Sequence, residues 1–188
     1  MIFCCALSES EIFSKNERIE ELIYRLSEGN MGALDELYGL IKTDVYSYAL
    51  SKCQNPRDAE DIMQDTFVQI YKYAKRYTPQ GKPLAWIFTI ITNLSIRRFQ
   101  INSRFTDYDD SFQETPMEGR FDEEIVNNEF LKQLMQTLNP DEQEIIVLHI
   151  VSGLKHKEIA TLLGKPLSTV LSRYNRAIRK LQKMVEEA

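Results

Sequence analysis

The chain has 188 residues and a formal net charge of −5, and 43% of its residues are hydrophobic. This composition is sufficient for one large or two small globular domains. The acidic balance argues against a non-specific coat on nucleic acid, and no segment approaches the roughly 20 apolar residues that span a bilayer. The three cysteines form no CxxC pair, which favours a reducing compartment. We therefore expect a cytoplasmic protein without membrane insertion.

Apolar residues recur at the period of an α-helix along most of the chain, and the alternation typical of strands is absent. The predicted fold class is therefore all-α, with two small helical domains. The first domain is predicted over residues 15–104. Its four predicted helices cover about residues 15–27, 33–50, 59–74 and 84–101. Glycine and proline signals separate them, including a turn at 55–58 and a loop at 78–83.

The composition changes over residues 105–124, which contain eight acidic residues and a single arginine. Pro116 and Gly119 interrupt any helical pattern there. A segment with many like charges and few apolar residues cannot bury a core of its own. We predict an exposed acidic linker between the two domains.

The second helical domain is predicted over residues 125–188. Asn139 before Pro140, with Glu142 three positions after the asparagine, has the pattern of a capping box at a helix start. That helix is expected to end at Gly153, because glycine is favoured at a left-handed C-terminus.

The last part of this domain, residues 153–183, is predicted to form two short amphipathic helices joined by a glycine turn. With His156 as the first position of a helix-turn-helix, Ala160 falls at the helix crossing and Gly164 at the turn. Glu158 is the only acid in this segment. The basic residues are Lys155, Lys157, Lys165, Arg173, Arg176, Arg179, Lys180 and Lys183. An αα-hairpin with a solvated basic face is the alternative, but the charge excess favours DNA.

The ends of these two helices differ in their capping residues. Ser168 is the predicted N-cap of the second helix, and Val170 is predicted to be buried. Lys155 precedes the first helix, and we expect a side-chain cap to be missing there because lysine cannot accept a hydrogen bond.

Features of an enzyme are absent from the sequence. No nucleophile and base form a recognisable pair, and there is no glycine-rich phosphate loop. The two histidines, His149 and His156, do not have the spacing of metal ligands. The sequence therefore predicts a protein that is not an enzyme and has neither a cofactor nor a metal.

Three segments resemble the sigma-70 family of RNA polymerase sigma factors, and most closely its small extracytoplasmic-function (ECF) group. Residues 138–181, with TVLSRYNRA as the most specific part, resemble region 4. Residues 57–77, RDAEDIMQDTFVQIYKYAKRY, resemble region 2.2, and residues 83–100, PLAWIFTIITNLSIRRFQ, resemble regions 2.3 and 2.4. Their order, with a linker between the two parts, makes the resemblance more specific than any one segment does.

The resemblance implies a sigma factor that directs core RNA polymerase to specific promoters. It implies stress or envelope responsiveness and control by an anti-sigma factor. The partners would be the clamp of the β′ subunit, the flap of the β subunit and promoter DNA. Two rival interpretations stay open: a regulator with a C-terminal helix-turn-helix that never joins polymerase, and a helical adaptor that binds only protein. Neither rival requires the block at residues 58–98.

The same resemblance implies the site residues. The −35 element would be contacted by Ser168, Thr169, Ser172, Arg173, Asn175, Arg176 and Arg179. The −10 element would be opened and read by Lys82, Trp86, Asn93, Arg97 and Arg98. Polymerase would be contacted by Asp58, Asp61, Gln64, Asp65 and Phe67. Without the resemblance, the acids are equally consistent with a solvated face, Trp86 is favoured as a core aromatic, and Phe67 is an anchor or a core residue.

Overall fold

The structure is a computed structural model that describes residues 9–105 and 136–186. The predicted acidic linker, apart from its first residue, lies outside these ranges, as does most of the helix predicted before Asn139. The described helices are α1 (Glu9–Ser27), α2 (Gly32–Cys53), α3 (Pro56–Tyr73), α4 (Pro83–Phe105), α5 (Pro140–Ile146), α6 (His156–Leu163) and α7 (Leu167–Glu186). A 3-10 turn covers Ala74–Arg76 and a π-helix covers Val147–Val151. No strand occurs in the described ranges, which confirms the all-α prediction.

Helices α1 to α4 form one domain around α2, which packs against the other three. The predicted apolar stripes face its core, where Leu22, Leu37 and Ile62 are at most 1% exposed. Each such side chain contributes roughly 1.5–3 kcal/mol through removal from water. The rings of Tyr48 and Phe88 lie 4.7 Å apart between α2 and α4. This core holds α3, which contains the predicted polymerase residues, next to α4, which contains most of the predicted −10 residues.

Helix α3 begins one residue after Asn55, so the predicted turn at 55–58 is shorter than expected. The Asn55 side chain accepts hydrogen bonds from the N–H groups of Arg57 and Asp58 at 2.9 and 3.2 Å. Pro56 occupies the first helical position, where its fixed φ suits the helix and its missing N–H costs nothing. The capping asparagine and the proline therefore start a helix where the composition alone indicated a turn.

The C-terminal domain begins with the predicted capping box. Asn139 Oδ1 accepts from the Glu142 N–H at 3.0 Å, and Glu142 Oε2 accepts from the Asn139 N–H at 3.2 Å. Beyond α5 the helix widens into the π-helix before it reaches Gly153, whose φ is 70°. The expected left-handed end at Gly153 is confirmed, but the last turn before it is not an α-helix.

The two domains are packed against each other through α2, α5 and the π-helix. Lys52 of α2 forms an ion pair with Glu144 of α5, whose side chain is only 9% exposed. Gln54 Nε2 donates to Gln143 Oε1 at 2.7 Å beside this pair. The contact between the domains therefore includes polar pairs that are largely shielded from water, beside the apolar core that both domains share.

Candidate nucleic-acid interface

Helices α6 and α7 form a helix-turn-helix, as predicted. Gly164 ends α6 with a φ of 61°, a conformation that costs residues with a Cβ atom about 1–2 kcal/mol. Ile159 of α6 and Val170 and Ala177 of α7 are fully buried. Their burial determines which side of α7 remains available to a ligand.

The start of α7 differs from the prediction. The helix begins at Leu167, so the assignment of Ser168 as its N-cap is wrong. The N–H groups of Thr169 and Val170 donate to the Pro166 carbonyl at 3.0 and 3.2 Å. Ser168 therefore lies in the first turn, where its side chain is exposed.

One face of α7 is polar and accessible over several turns. Its exposed residues include Ser168, Ser172, Asn175, Arg176 and Arg179. Spacings of three and four residues place most of them on one side of a helix. Leu171 is 38% exposed next to this face, and Thr169 is half-buried. The face offers hydroxyl, amide and guanidinium donors together.

Arg173, a predicted −35 residue, is partly engaged within its own domain. Its Nη1 lies 2.6 Å from a carboxylate oxygen of Asp141 in α5. Lys165 donates a hydrogen bond to the same oxygen at 2.6 Å. The bond from Lys165 is the main cause that lowers the pKa of Asp141, with a smaller contribution from Arg173. Arg173 therefore ties α7 to α5.

A groove of about 550 Å³ lies between α4 and α6. Tyr77 and Trp86 line it, with their ring centroids 4.7 Å apart. Trp86 is half-buried, so it is neither a fully enclosed core aromatic nor a free surface side chain. At the edge, Lys82 Nζ lies 3.0 Å from Glu158 Oε1 of the C-terminal domain. A cation next to aromatic rings suits unpaired bases.

Glu158 also caps the N-terminus of α6. Its Oε2 accepts a hydrogen bond from the Lys155 N–H at 2.9 Å, and the Lys155 side chain makes no capping hydrogen bond, as predicted. Half of a capping box is therefore present, because the glutamate satisfies the N-cap amide.

The remaining predicted −10 residues on α4 have different surroundings. Asn93 and Arg97 are exposed. Arg98 turns toward α3, where its Nε donates to Asp58 Oδ1 at 2.7 Å and its Nη2 to Asp61 Oδ2 at 2.5 Å. Partial burial opposes the charged form, but these two bonds outweigh it and raise the pKa of Arg98.

The predicted polymerase-binding residues on α3 divide into three kinds. Gln64 and Asp65 are exposed, whereas Asp58 and Asp61 are held by Arg98. Phe67 is only 7% exposed and its ring lies 5.0 Å from that of Tyr38, so of its two predicted roles the structure supports the core residue.

Three exposed apolar or aromatic residues on α3 were not identified from the sequence, and the last of them, Tyr73, is 42% exposed. Val68 and Tyr71 are each 47% exposed. Val68 lies one turn after Gln64, and Tyr71 lies two turns after it. Val68 lies outside the apolar stripe predicted for this helix, and this position is the signal that could have revealed it. Tyr71 belongs to the predicted stripe, so its exposure differs from the prediction.

A cluster of three rings formed by the π-helix, α6 and α7 was also not predicted from the sequence. The ring of His156 lies 4.2 Å from that of His149 and 4.6 Å from that of Tyr174. His149 Nδ1 donates to the Leu154 carbonyl at 2.8 Å. Burial, followed by the proximity of His149, lowers the pKa of His156. The cluster favours the neutral form of His156 and joins α6 to α7.

Membrane-spanning helices and metal clusters are both absent from the described ranges. None of the helices there is long and apolar enough to cross a membrane. Across the same residues, no group of three or more histidine, cysteine or acidic side chains could hold a metal ion.

Comparison with known protein families gives two matches. The family described as sigma-70 region 2 matches residues 37–105, and the family described as sigma-70 region 4 matches residues 131–181. Together they cover more than half of the chain, in the order predicted from the sequence.

Curated relatives extend this likeness along the chain. The ECF sigma factor BldN of Streptomyces coelicolor is 27% identical over 93% of this chain and 68% of its own length. SigE of Mycolicibacterium smegmatis is 31% identical over 81% of this chain and 61% of its own length. SigW of Bacillus subtilis is 25% identical, and the match covers 90% of this chain and 97% of SigW.

Two solved structures have a similar fold, and the second is a sigma factor. CnrH in complex with the cytosolic domain of CnrY has a TM-score of 0.59 at 23% identity, covering 90% of this chain and 98% of CnrH. RpoE in complex with the anti-sigma factor NepR from Bartonella quintana has a TM-score of 0.59 at 26% identity. The match covers 81% of this chain and 96% of RpoE.

A helical domain with region 2, followed by a helix-turn-helix domain with region 4, defines a two-domain transcription initiation factor. Such factors are subunits that guide polymerase and are not themselves enzymes. The chain belongs to the sigma-70 family, within its ECF group.

Proposed function

We propose that this chain binds core RNA polymerase, reads the −35 element with α7 and opens the −10 element with α4. The observation that carries the proposal is the presence of both an accessible polar face on α7 and an aromatic–cation groove beside α4 in one chain. A regulator that never joins polymerase needs the first of these features but not the second.

The −35 role follows from the chemistry of the exposed face of α7. An α-helix fits the major groove of B-DNA, where guanine offers two acceptors to an arginine fork. Arg176 and Arg179 supply such forks, and Ser172 and Asn175 supply shorter donors. Ser168 and Thr169 lie at the N-terminal end of α7, where backbone dipoles favour a phosphate. Arg173 adds positive charge nearby while it holds Asp141.

The −10 role rests on the groove beside α4 and on the exposed residues that continue along this helix. Unpaired bases bind to aromatic faces, and their phosphates bind to cations. Trp86 with Tyr77 provides the aromatic surface, and Lys82 provides the cation. Asn93 and Arg97 extend the polar surface along α4.

Polymerase docking is assigned to the exposed face of α3. Gln64 and Asp65 present polar and acidic groups, and Val68 and Tyr71 present apolar surface beside them. A surface with acids around an apolar strip suits a basic partner with apolar contacts, which we take to be the clamp of the β′ subunit. The flap of the β subunit is the proposed partner of the C-terminal domain. Function with polymerase assigns the protein to the cytoplasm.

Control by an anti-sigma factor is part of the proposal. The solved relatives CnrH and RpoE are each in a complex, with the cytosolic domain of CnrY and with the anti-sigma factor NepR. A protein of this kind is the expected inhibitor, and it would compete with polymerase for the chain.

Run-off transcription tests the proposal directly. Core polymerase would be incubated with genomic fragments, with and without the purified chain, and the transcripts would be mapped. Transcripts that start at defined positions only when the chain is present support the proposal. Tight sequence-specific binding by the free chain without polymerase association would favour the rival regulator, and loss of both activities would favour the protein-only adaptor.

A further inference from the structure

Arg98 stands near the end of the proposed promoter-reading surface, yet its side chain faces away from the rest of that surface. It lies on α4 and contacts two carboxylates on α3, 40 and 37 residues earlier in the chain. The neighbouring Arg97 is exposed instead. Two adjacent arginines of the same helix are thus placed in different environments.

The geometry of the contact is that of a brace. Asp58 and Asp61 are one turn apart on α3, so one guanidinium reaches both. The two bonds, of 2.7 and 2.5 Å, use the fork of arginine, which fixes direction as well as distance. The side chains of Arg98, Asp58 and Asp61 are 35%, 27% and 45% exposed, so each is partly removed from solvent.

We propose that Arg98 is a positioning residue, which sets the angle between the polymerase-docking helix α3 and the promoter-opening helix α4 without contacting DNA itself. This inference rests on the proposed function of these helices. The structure supports it because the Arg98 donors are directed at the two carboxylates on α3. In this proposal the main role of Asp58 and Asp61 is to bind Arg98, and any contact with polymerase is secondary.

The brace has a consequence that separates it from a simple DNA contact. Removal of Arg98 leaves two bare carboxylates on α3, so attraction to a basic polymerase surface is not reduced. Without the bonds from Arg98, however, α4 is no longer held in a fixed direction relative to α3, and α4 is the helix that opens the −10 element. Arg98→Ala is therefore expected to keep polymerase affinity and to slow promoter opening by about tenfold, the loss expected for a charge-assisted fork.

The test is a double-mutant cycle in reconstituted transcription with saturating amounts of the chain. Opening rates would be measured for the unmodified chain, Arg98→Ala, the pair Asp58→Asn with Asp61→Asn, and the triple variant. A brace predicts that Arg98→Ala has no further effect once both carboxylates are amides. A tenfold loss in both backgrounds would overturn the proposal, because it would mean that Arg98 acts on DNA directly.

Two further variants distinguish the loss of the Arg98 brace from a simple loss of positive charge on α4. Arg97→Ala removes the same charge one residue away, and it is expected to lower the salt dependence of promoter binding by about one unit, as for a phosphate contact. Arg98→Lys keeps the charge but cannot bridge both carboxylates, so it should retain only part of the opening rate. Full activity of Arg98→Lys or of Arg98→Ala would overturn the brace. Failure of the unmodified chain to support transcription would instead reject the proposed function.

Discussion

Lys52 of α2 and Glu144 of α5 form an ion pair that joins the two domains. Tyr48 donates a hydrogen bond to the same carboxylate at 3.3 Å. Burial, and next the negative charge of Glu144, raises the pKa of Tyr48 well above its ordinary value, so the phenol stays protonated as a donor. The Lys52 and Glu144 side chains are only 21% and 9% exposed, so neither charge is fully hydrated in this arrangement.

Reversal of one charge in this pair should separate the domains. Lys52→Glu or Glu144→Lys places like charges together at a shielded contact, at a cost on the order of 3–5 kcal/mol. The radius of gyration from solution scattering should rise in each single variant and fall again when both reversals are combined. Asp35→Lys, an exposed charge reversal also on α2, is the control. An unchanged radius in both single variants would contradict the role of this pair.

Asp65 should be a stronger determinant of polymerase binding than Asp61. Both lie on α3, but Asp61 is held by Arg98 whereas Asp65 is exposed. Asp65→Lys should weaken polymerase binding by at least about tenfold, since a reversed charge opposite a basic surface is repelled. Competition for core polymerase against a labelled sigma factor measures this. Asp35→Lys should bind normally, and equal losses in both variants would mean that only net charge matters.

Arg176 is expected to be the most sensitive −35 contact. It is exposed one turn beyond Ser172, and its fork suits guanine or a phosphate. If it reads a base, Arg176→Ala should cost about 1–3 kcal/mol and relax preference at one position. If it holds phosphate, the loss should be uniform and the salt slope should drop by about one. Transcription equal to that of the unmodified chain from every dependent promoter would contradict both roles.

A structural control for Arg176 comes from the crossing of α6 and α7. Ala160 is half-buried there, and Ala160→Leu should overpack the crossing by roughly 1–3 kcal/mol. Thermal unfolding should show a lower Tm for this variant and almost no change for Arg176→Ala.

Two glycines separate the effect of backbone conformation from that of packing. A Cβ atom at Gly164 or at Gly39 meets nothing within 4 Å, but only Gly164 has a positive φ, of 61°. Gly164→Ala should destabilise by about 1–2 kcal/mol. Gly39→Ala, inside α2, should stabilise by about 0.5–1 kcal/mol because alanine is the better helix former. Chemical denaturation measures the free energy of unfolding of both variants. A change of the same sign in the two variants would contradict the assigned conformations.

The stability of the C-terminal domain should fall in mild acid. The pKa of His156 is lowered from its ordinary value of 6.5 in the folded protein, through burial and then His149. As the pH falls through about 6.5, the histidine of the unfolded chain binds a proton while His156 of the folded protein remains neutral. The free energy of unfolding therefore decreases from this pH down to the lower pKa of the folded state, and it does not decrease further below that pKa. Unfolding followed from pH 8 to pH 5 measures the decrease.

The buried carboxyl group of Asp44 has the opposite effect on stability in acid, so a variant is needed to isolate the contribution of His156. Burial raises the pKa of Asp44 despite its ion pair with Lys15 at 2.9 Å. A raised carboxyl pKa favours the folded state at low pH, with the stability lost as the pH rises through it. His156→Phe should remove the part of the acid loss that His156 causes while leaving the Asp44 contribution. An unchanged pH profile in that variant would reject the histidine as the cause.

Local features of this fold were predictable because their causes lie within a few residues. Asn139 and Glu142 bind each other's backbone N–H groups across one turn. Gly164 ends a helix because it is the residue that tolerates the required φ. The N-cap error at Ser168 has a local cause as well: the Pro166 carbonyl accepts the first hydrogen bonds of α7, so the helix starts earlier than the serine suggests.

Features that depend on distant residues could not be predicted in this way. Arg98 and Asp58 are 40 residues apart in the chain, and no periodic pattern indicates that they meet. The family resemblance placed them in separate surfaces, one for DNA and one for polymerase. Phe67 illustrates the same limit, because whether an apolar residue of α3 is buried depends on the position of Tyr38 in α2.

The shielded contact between the domains has a thermodynamic consequence for every partner of this protein. A partner that requires the two domains apart binds only the open fraction of molecules, and its apparent Kd rises by the inverse of that fraction. Each 1.4 kcal/mol held in the closed arrangement therefore weakens such a partner about tenfold. A partner that fits the closed form already finds nearly all molecules competent, so its apparent Kd stays close to its intrinsic value. The ion pair at Glu144 therefore adjusts the apparent affinity of any partner that requires the open arrangement.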